Sequence, residues 1–124
     1  MEIAIIAHDG KKADMVQFLN KNKAILQQEK IQLISTGTTG GKAEGIGLKV
    51  TKMLSGPLGG DAQIAGRVAE GKTKMVIFFK DPLSSHAHEA DINMLLRVCD
   101  VHNVPIATNE ATAQLLLNAI AQQS

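Results

Sequence analysis

The sequence predicts a three-layer α/β fold, a single domain over residues 1–124 with a five-stranded, mostly parallel sheet and helices on both faces. Three observations predict it. Short apolar runs alternate with segments of helical period along the whole chain, the β-α repetition that builds parallel sheets. The glycine- and hydroxyl-rich runs come where the apolar runs end, as loops at strand ends do. A length of 124 residues fits one domain that buries roughly two-thirds of its unfolded surface.

The elements follow in order. Ile3 to Ala7 reads as a buried strand, closed by His8-Asp9-Gly10. From Lys12 onward, Met15, Phe18, Leu19, Ile25 and Leu26 fall mostly on one helical stripe. Ile31 to Ser35 is a second strand that leads into a Thr/Gly loop and a short, glycine-punctuated helix. Leu48 to Leu54 is a third strand, and Asp61 to Glu70 a helix with Ile64 and Val68 inward and Gly71 as its stop. Met75 to Phe79 is the most apolar strand, hence central, with Phe78 and Phe79 in the core. A polar loop from Lys80 to Ala90 precedes a helix whose Ile92, Leu95, Leu96 and Cys99 keep i, i+3, i+4, i+7 spacing. Val104 to Ala107 is the fifth strand, and Asn109 caps a last helix carrying Leu115, Leu116 and Ala119.

Composition narrows the function. The three phenylalanines are the only aromatic rings besides histidine, which argues against single-stranded nucleic acid and its stacking platforms. A net charge of +1 without a basic block argues against duplex binding, so no nucleic acid partner is expected. The lone Cys99 excludes an internal disulfide and fits a reducing compartment; among apolar helix residues it reads as a buried structural thiol. No apolar stretch approaches the ~20 residues that span a bilayer, and the chain opens directly on a strand without a leader pattern. A cytoplasmic protein with no membrane partner is expected.

The unusual residues gather behind strand ends. Ser55-Gly56-Pro57-Leu58-Gly59-Gly60-Asp61 holds open backbone and delivers one carboxylate to a helix start. Ser35-Thr36-Gly37-Thr38-Thr39-Gly40 offers hydroxyls and amides of the phosphate-binding kind. A carboxylate beside an anion site suggests proton chemistry on a phosphorylated substrate, with Asp61 as general base. The capping role of a helix-start aspartate is the plainer alternative, but a cap does not need so open a backbone. His88, three residues before Asp91, could donate to a developing oxyanion or be a surface histidine before an N-cap aspartate. His86 competes for the same place. His8 and Asp9 would line the pocket, with Lys12 meeting a phosphate as a point charge, although Asp9 is equally a turn residue and Lys12 a solvated lysine. Asp81, held extended before Pro82, lines the pocket or shapes the loop. His8, Asp9, His86, His88 and Asp91 lack the compact spacing of zinc sites, so no metal is expected.

Together the loops Ala7-His8-Asp9, Ser35 to Gly40, Leu54 to Asp61, Asp81-Pro82-Leu83 and Pro105 to Asn109 closely resemble those of the methylglyoxal synthase family, in the same order along nearly the whole chain. Thr-Gly-Thr-Thr-Gly combined with Ser-Gly-Pro-Leu-Gly-Gly-Asp is the specific signature. The resemblance implies a Rossmann-like fold of the methylglyoxal synthase type. It also implies conversion of dihydroxyacetone phosphate to methylglyoxal and inorganic phosphate, without metal or organic cofactor. It assigns Asp61 as base, His88, Asp91 and Asp9 as further catalytic residues, and His8, Lys12, Thr36, Gly37, Thr38, Thr39, Ser55, Gly56 and Asp81 as substrate contacts. It further implies a homohexamer. The family's Pro-His-x-Pro-Asp stretch reads Ala87-His88-Glu89-Ala90-Asp91 here, which predicts a looser loop. Longer members carry a C-terminal arginine that meets phosphate, whereas the arginines here are Arg67 and Arg97; weaker regulation by phosphate is expected. The competing function is a regulatory module of the same fold that binds a phosphorylated effector without catalysis. A pure binder has no need of Asp61, His88 and Asp91 in one crevice.

Overall fold

The computed structural model describes residues 1–84 and 89–122. Five strands form one parallel sheet: β1 (Glu2–Ala7), β2 (Gln32–Ser35), β3 (Val50–Lys52), β4 (Thr73–Phe79) and β5 (Ile106–Ala107), in the order β3-β2-β1-β4-β5. The helices are α1 (Lys12–Lys21), α2 (Lys23–Leu26), α3 (Gly37–Gly45), α4 (Gly60–Ala69), α5 (Glu89–Val101) and α6 (Glu110–Ala121), with 3-10 turns at Asp9–Lys11 and Gly56–Leu58.

Strand side chains alternate between faces, and the two cores divide by that parity. Ile3, Ile5 and Ala7 of β1 join Met75, Ile77 and Phe79 of β4 beneath residues of α1, α2, α3 and α6. Ala4 and Ile6, with Val76 and Phe78, pack against Ile64, Ala65 and Val68 of α4 and Ile92, Leu95 and Cys99 of α5. Both faces are therefore covered, as expected. The chain first builds outward from β1 to β3, then returns to place β4 on the other side of β1. The topological switch point, where open α/β sheets receive ligands, lies between β1 and β4.

Several expected boundaries move, each for a local reason. The helix after β1 breaks at Asn22, whose Nδ2 donates to Phe18 O at 2.9 Å and to Gln114 Oε1 at 2.9 Å; α2 resumes beyond it. The third strand pairs only over Val50–Lys52 because β2 ends at Ser35, and Leu54 already bends to accept from Gly37 N at 3.3 Å. The fifth strand shortens to Ile106–Ala107, since Pro105 has no N–H to give a ladder and contributes only its carbonyl, to Val76 N at 3.0 Å. On α6 the inward residues are Ala113, Leu117 and Ile120, with Leu116 half-buried; Leu115 is 70% exposed. The Thr/Gly run is itself the start of α3. Among the described residues, no helix is long and apolar enough to cross a membrane.

Candidate active site

A cavity of about 230 Å³ opens at the C-terminal ends of β1 and β2, beside the switch point, and four loops supply its walls. His8, Asp9, Gly10 and Lys12 come from the turn after β1, Thr36 and Thr38 from the start of α3, Ser55, Gly56, Pro57 and Asp61 from the glycine loop, and Asp81 and Ser84 from the loop after β4. Ile6, Ala7 and Phe78 form the floor.

Asp61 is the second residue of α4 and only 2% exposed. The glycines explain how a charged side chain reaches that place. Gly59 turns the chain with φ +104°, a left-handed value that glycine adopts without strain. At Gly60 a Cβ would stand 1.9 Å from Leu54 O, so the helix begins where any side chain would collide with backbone. Gly56 would carry its Cβ 3.5 and 3.7 Å from the two Asp61 carboxylate oxygens, so glycine keeps a methyl group from packing on them. Gln63 pins the loop from the following turn, accepting from Leu54 N at 2.8 Å.

Thr36 occupies the N-cap position of α3, is buried, and makes no side-chain cap bond. A helix start presents N–H groups that lack carbonyls four residues back and favours anions. Lys12 adds a cation: its Nζ donates to Ala7 O and to Asp9 Oδ1, each at 2.9 Å, with the lysine side chain 13% exposed and that of Asp9 fully exposed. An ammonium has three donors, so one remains beyond these two bonds. His8 is buried against Phe78, ring centroids 5.1 Å apart and nearly perpendicular, and its Nδ1 accepts from the main-chain N–H of Asp81 at 2.8 Å. The Asp81 carboxylate accepts from Leu83 N at 3.2 Å.

Of the residues expected from sequence, Asp61, Asp9, His8, Lys12, Thr36, Thr38, Ser55, Gly56 and Asp81 come together around this cavity. Gly37 and Thr39 lie in the first turn of α3 outside its lining; Thr39 is buried, and its Oγ1 has no hydrogen-bond partner among the described residues. Asp91 is an exposed residue within α5 rather than its N-cap, and is not among the residues that line the cavity. His86 and His88 lie outside the described residues. Sequence reasoning missed Gly10, Pro57 and Ser84 as wall residues, and took Phe78 for core alone when it is also floor. Position in the loops that follow β1 and β4 was the signal available for Gly10 and Ser84. Among the described residues, no group of three or more His, Cys, Asp or Glu could hold a metal ion.

Fold and cavity define a class, the open parallel α/β domains whose pocket sits where the strand order reverses. Residues 14–108 match the family model of the MGS-like domain. A methylglyoxal synthase of Clostridium botulinum is 54% identical over 118 residues, covering 94% of this chain and 98% of that protein. One from Cupriavidus taiwanensis is 53% identical over 123 residues, covering 98% and 91%. The crystal structure of methylglyoxal synthase from Elizabethkingia anophelis superposes with a TM-score of 0.86 at 42% identity, over 94% of this chain and 76% of that one. The chain belongs to the methylglyoxal synthase family and is an enzyme of the carbon–oxygen lyase class.

Proposed function

We propose that this protein converts dihydroxyacetone phosphate to methylglyoxal and inorganic phosphate, with Asp61 as the general base. The observation that carries the reading is a buried carboxylate in a small cavity that also holds a helix start with two threonines and a lysine with a donor to spare. Its volume falls below the roughly 300–1,000 Å³ of drug-sized sites, which suits a three-carbon ester.

Asp61 takes a proton from the hydroxyl-bearing carbon, and the C–H electron pair becomes the enediolate double bond. A carboxylate stripped of water takes up a proton more readily than a hydrated one. By the family resemblance His88 donates to the oxygen that becomes negative and Asp91 completes the catalytic set; Asp9 holds Lys12. The enediolate then expels phosphate: the bridging C–O bond breaks, its pair leaves with the phosphate oxygen, and the enol of methylglyoxal ketonises. Expulsion requires that bond to stand out of the enediolate plane. Lys12, Thr36, Thr38, Ser55 and Gly56 hold the phosphate there and offset its developing charge, with Gly37 and Thr39 assigned to the same anion site by the family resemblance alone, while His8 and Asp81 bound the carbonyl side. The reaction draws on no metal or organic cofactor. Residues 1–124 act as one domain of a cytoplasmic homohexamer without nucleic acid or membrane partners, a reading supported by the family resemblance.

The test mixes purified protein with dihydroxyacetone phosphate and a chelator and follows methylglyoxal and inorganic phosphate together. Matched release of both is expected. Binding without turnover would instead mark an effector-binding module, and triose isomerisation without phosphate loss would mean the ester is held in the enediolate plane.

A further inference from the structure

The loop after β4 touches the turn after β1 through main chain as well as side chain. His8 N donates to Phe79 O at 3.1 Å, extending the β1–β4 pairing by one bond. Two residues past Phe79 the pattern changes, and the same residue accepts through its ring: Asp81 N donates at 2.8 Å to His8 Nδ1. Phe78 meets the ring edge to face and packs it beside that donor.

An imidazole nitrogen that accepts an N–H cannot carry a proton, and the tautomer is set by the bond the other nitrogen makes. We infer that Asp81 is a positioning residue that acts through its main-chain N–H, fixing His8 as a neutral, Nε2-protonated imidazole that serves the ligand as a hydrogen-bond donor and takes no part in proton transfer. Forming the imidazolium would place Nδ1–H against Asp81 N–H, two donors face to face in a buried site, and would leave that amide without its acceptor. Among the described residues the charged groups around this cavity are Asp61 from α4, Asp9 and Lys12 from the turn after β1, and Asp81 itself. The carboxylates favour a charged ring and Lys12 opposes it; the direct amide contact decides. The inference rests on the proposed reaction for what the donor serves, not for the tautomer.

The experiment is nitrogen NMR of the full chain labelled at histidine, without ligand, between about pH 5 and 8, the range in which an ordinary histidine changes charge. The expected His8 signals are an unprotonated Nδ1 and a protonated Nε2 throughout. Asp81→Ala keeps the main-chain N–H and is expected to leave both signals in place, whereas Asp81→Pro removes the donor and is expected to give mixed tautomers and a ring that titrates. A protonated Nδ1 in the wild type, titration of His8 near the ordinary value of about 6.5, or loss of the signature in Asp81→Ala would each overturn the inference. The wild-type titration and the alanine variant decide it even if the proline variant does not fold. Absence of methylglyoxal formation with the signature intact would count against the reaction alone.

Discussion

At the scale of single residues, the glycine loop separates two effects that sequence alone merges. Gly60 is a steric necessity, since its Cβ would fall 1.9 Å from Leu54 O. Gly60→Ala should lower stability by about 3 kcal/mol or more, at the upper end of overpacking costs, read as a shift in the denaturant midpoint. Gly56 has room for a methyl group at ordinary contact distance, 3.5 Å from Asp61 Oδ2. Gly56→Ala should therefore fold with an unchanged midpoint yet lose turnover, because the methyl covers the carboxylate; unchanged turnover would mean that the ligand approaches from another side. Asp61→Asn should lower kcat by about 10²–10⁴, the usual worth of a general base, with the affinity for a phosphate-ester analogue in calorimetry preserved. A variant that kept a tenth of the activity would remove Asp61 from that role.

At the scale of elements, the sequence was readable wherever period and punctuation agreed. The β-α alternation, Gly71 as the stop of α4 and Asn109 as the cap of α6, accepting from Thr112 N at 3.0 Å, all follow from local chemistry. Cys99 is fully buried as expected, and burial with the neighbouring Asp100 pushes its thiol up to about 11. Reading failed where a tertiary partner decides. Leu115, Leu116 and Leu117 are consecutive, so composition cannot say which faces inward; the sheet selects Leu117 because Ala113 and Ile120 share its stripe. The break after α1 was equally hidden, because Asn22 is held by Gln114, 92 residues away, through reciprocal amide bonds of 2.8 and 2.9 Å. Asn22→Ala leaves Gln114 without that partner in a partly buried place. It should cost about 1–3 kcal/mol, measured by thermal or denaturant unfolding. The Asp81–His8 bond was invisible for a related reason: main-chain N–H groups carry no letter in a sequence.

At the scale of the whole molecule, the end of the sheet opposite the cavity is tied by charge. Glu2, at the head of β1, accepts from Arg67 of α4 at 2.9 and 2.5 Å and from Thr73 of β4 at 2.6 Å. The Arg67 hydrogen bond is the main reason the Glu2 carboxyl lies below its ordinary 4.5, with burial acting the other way. A carboxyl depressed in the folded state contributes stability that is fully present above its unfolded value and is lost as pH falls through the folded one. The stability advantage of wild type over Glu2→Gln should thus hold above about pH 4.5 and shrink below it, as followed by urea midpoints against pH. A constant difference across that range would show that the tie is not sensed electrostatically.

The strand order also bears on how the chain emerges during synthesis. β1 has β2 on one side and waits for β4, which begins at Thr73, to close the other. A nascent chain ending before that residue already carries Asp61 and both glycine-rich segments. It would also display the open edge of Ile3–Ala7, a run without charge or proline, the kind of edge that recruits other strands. A fragment of residues 1–72 should therefore aggregate on expression while the full chain does not, as sedimentation of the two would show. The last-arriving central strand then does two things at once, sealing a sticky seam and completing the pocket.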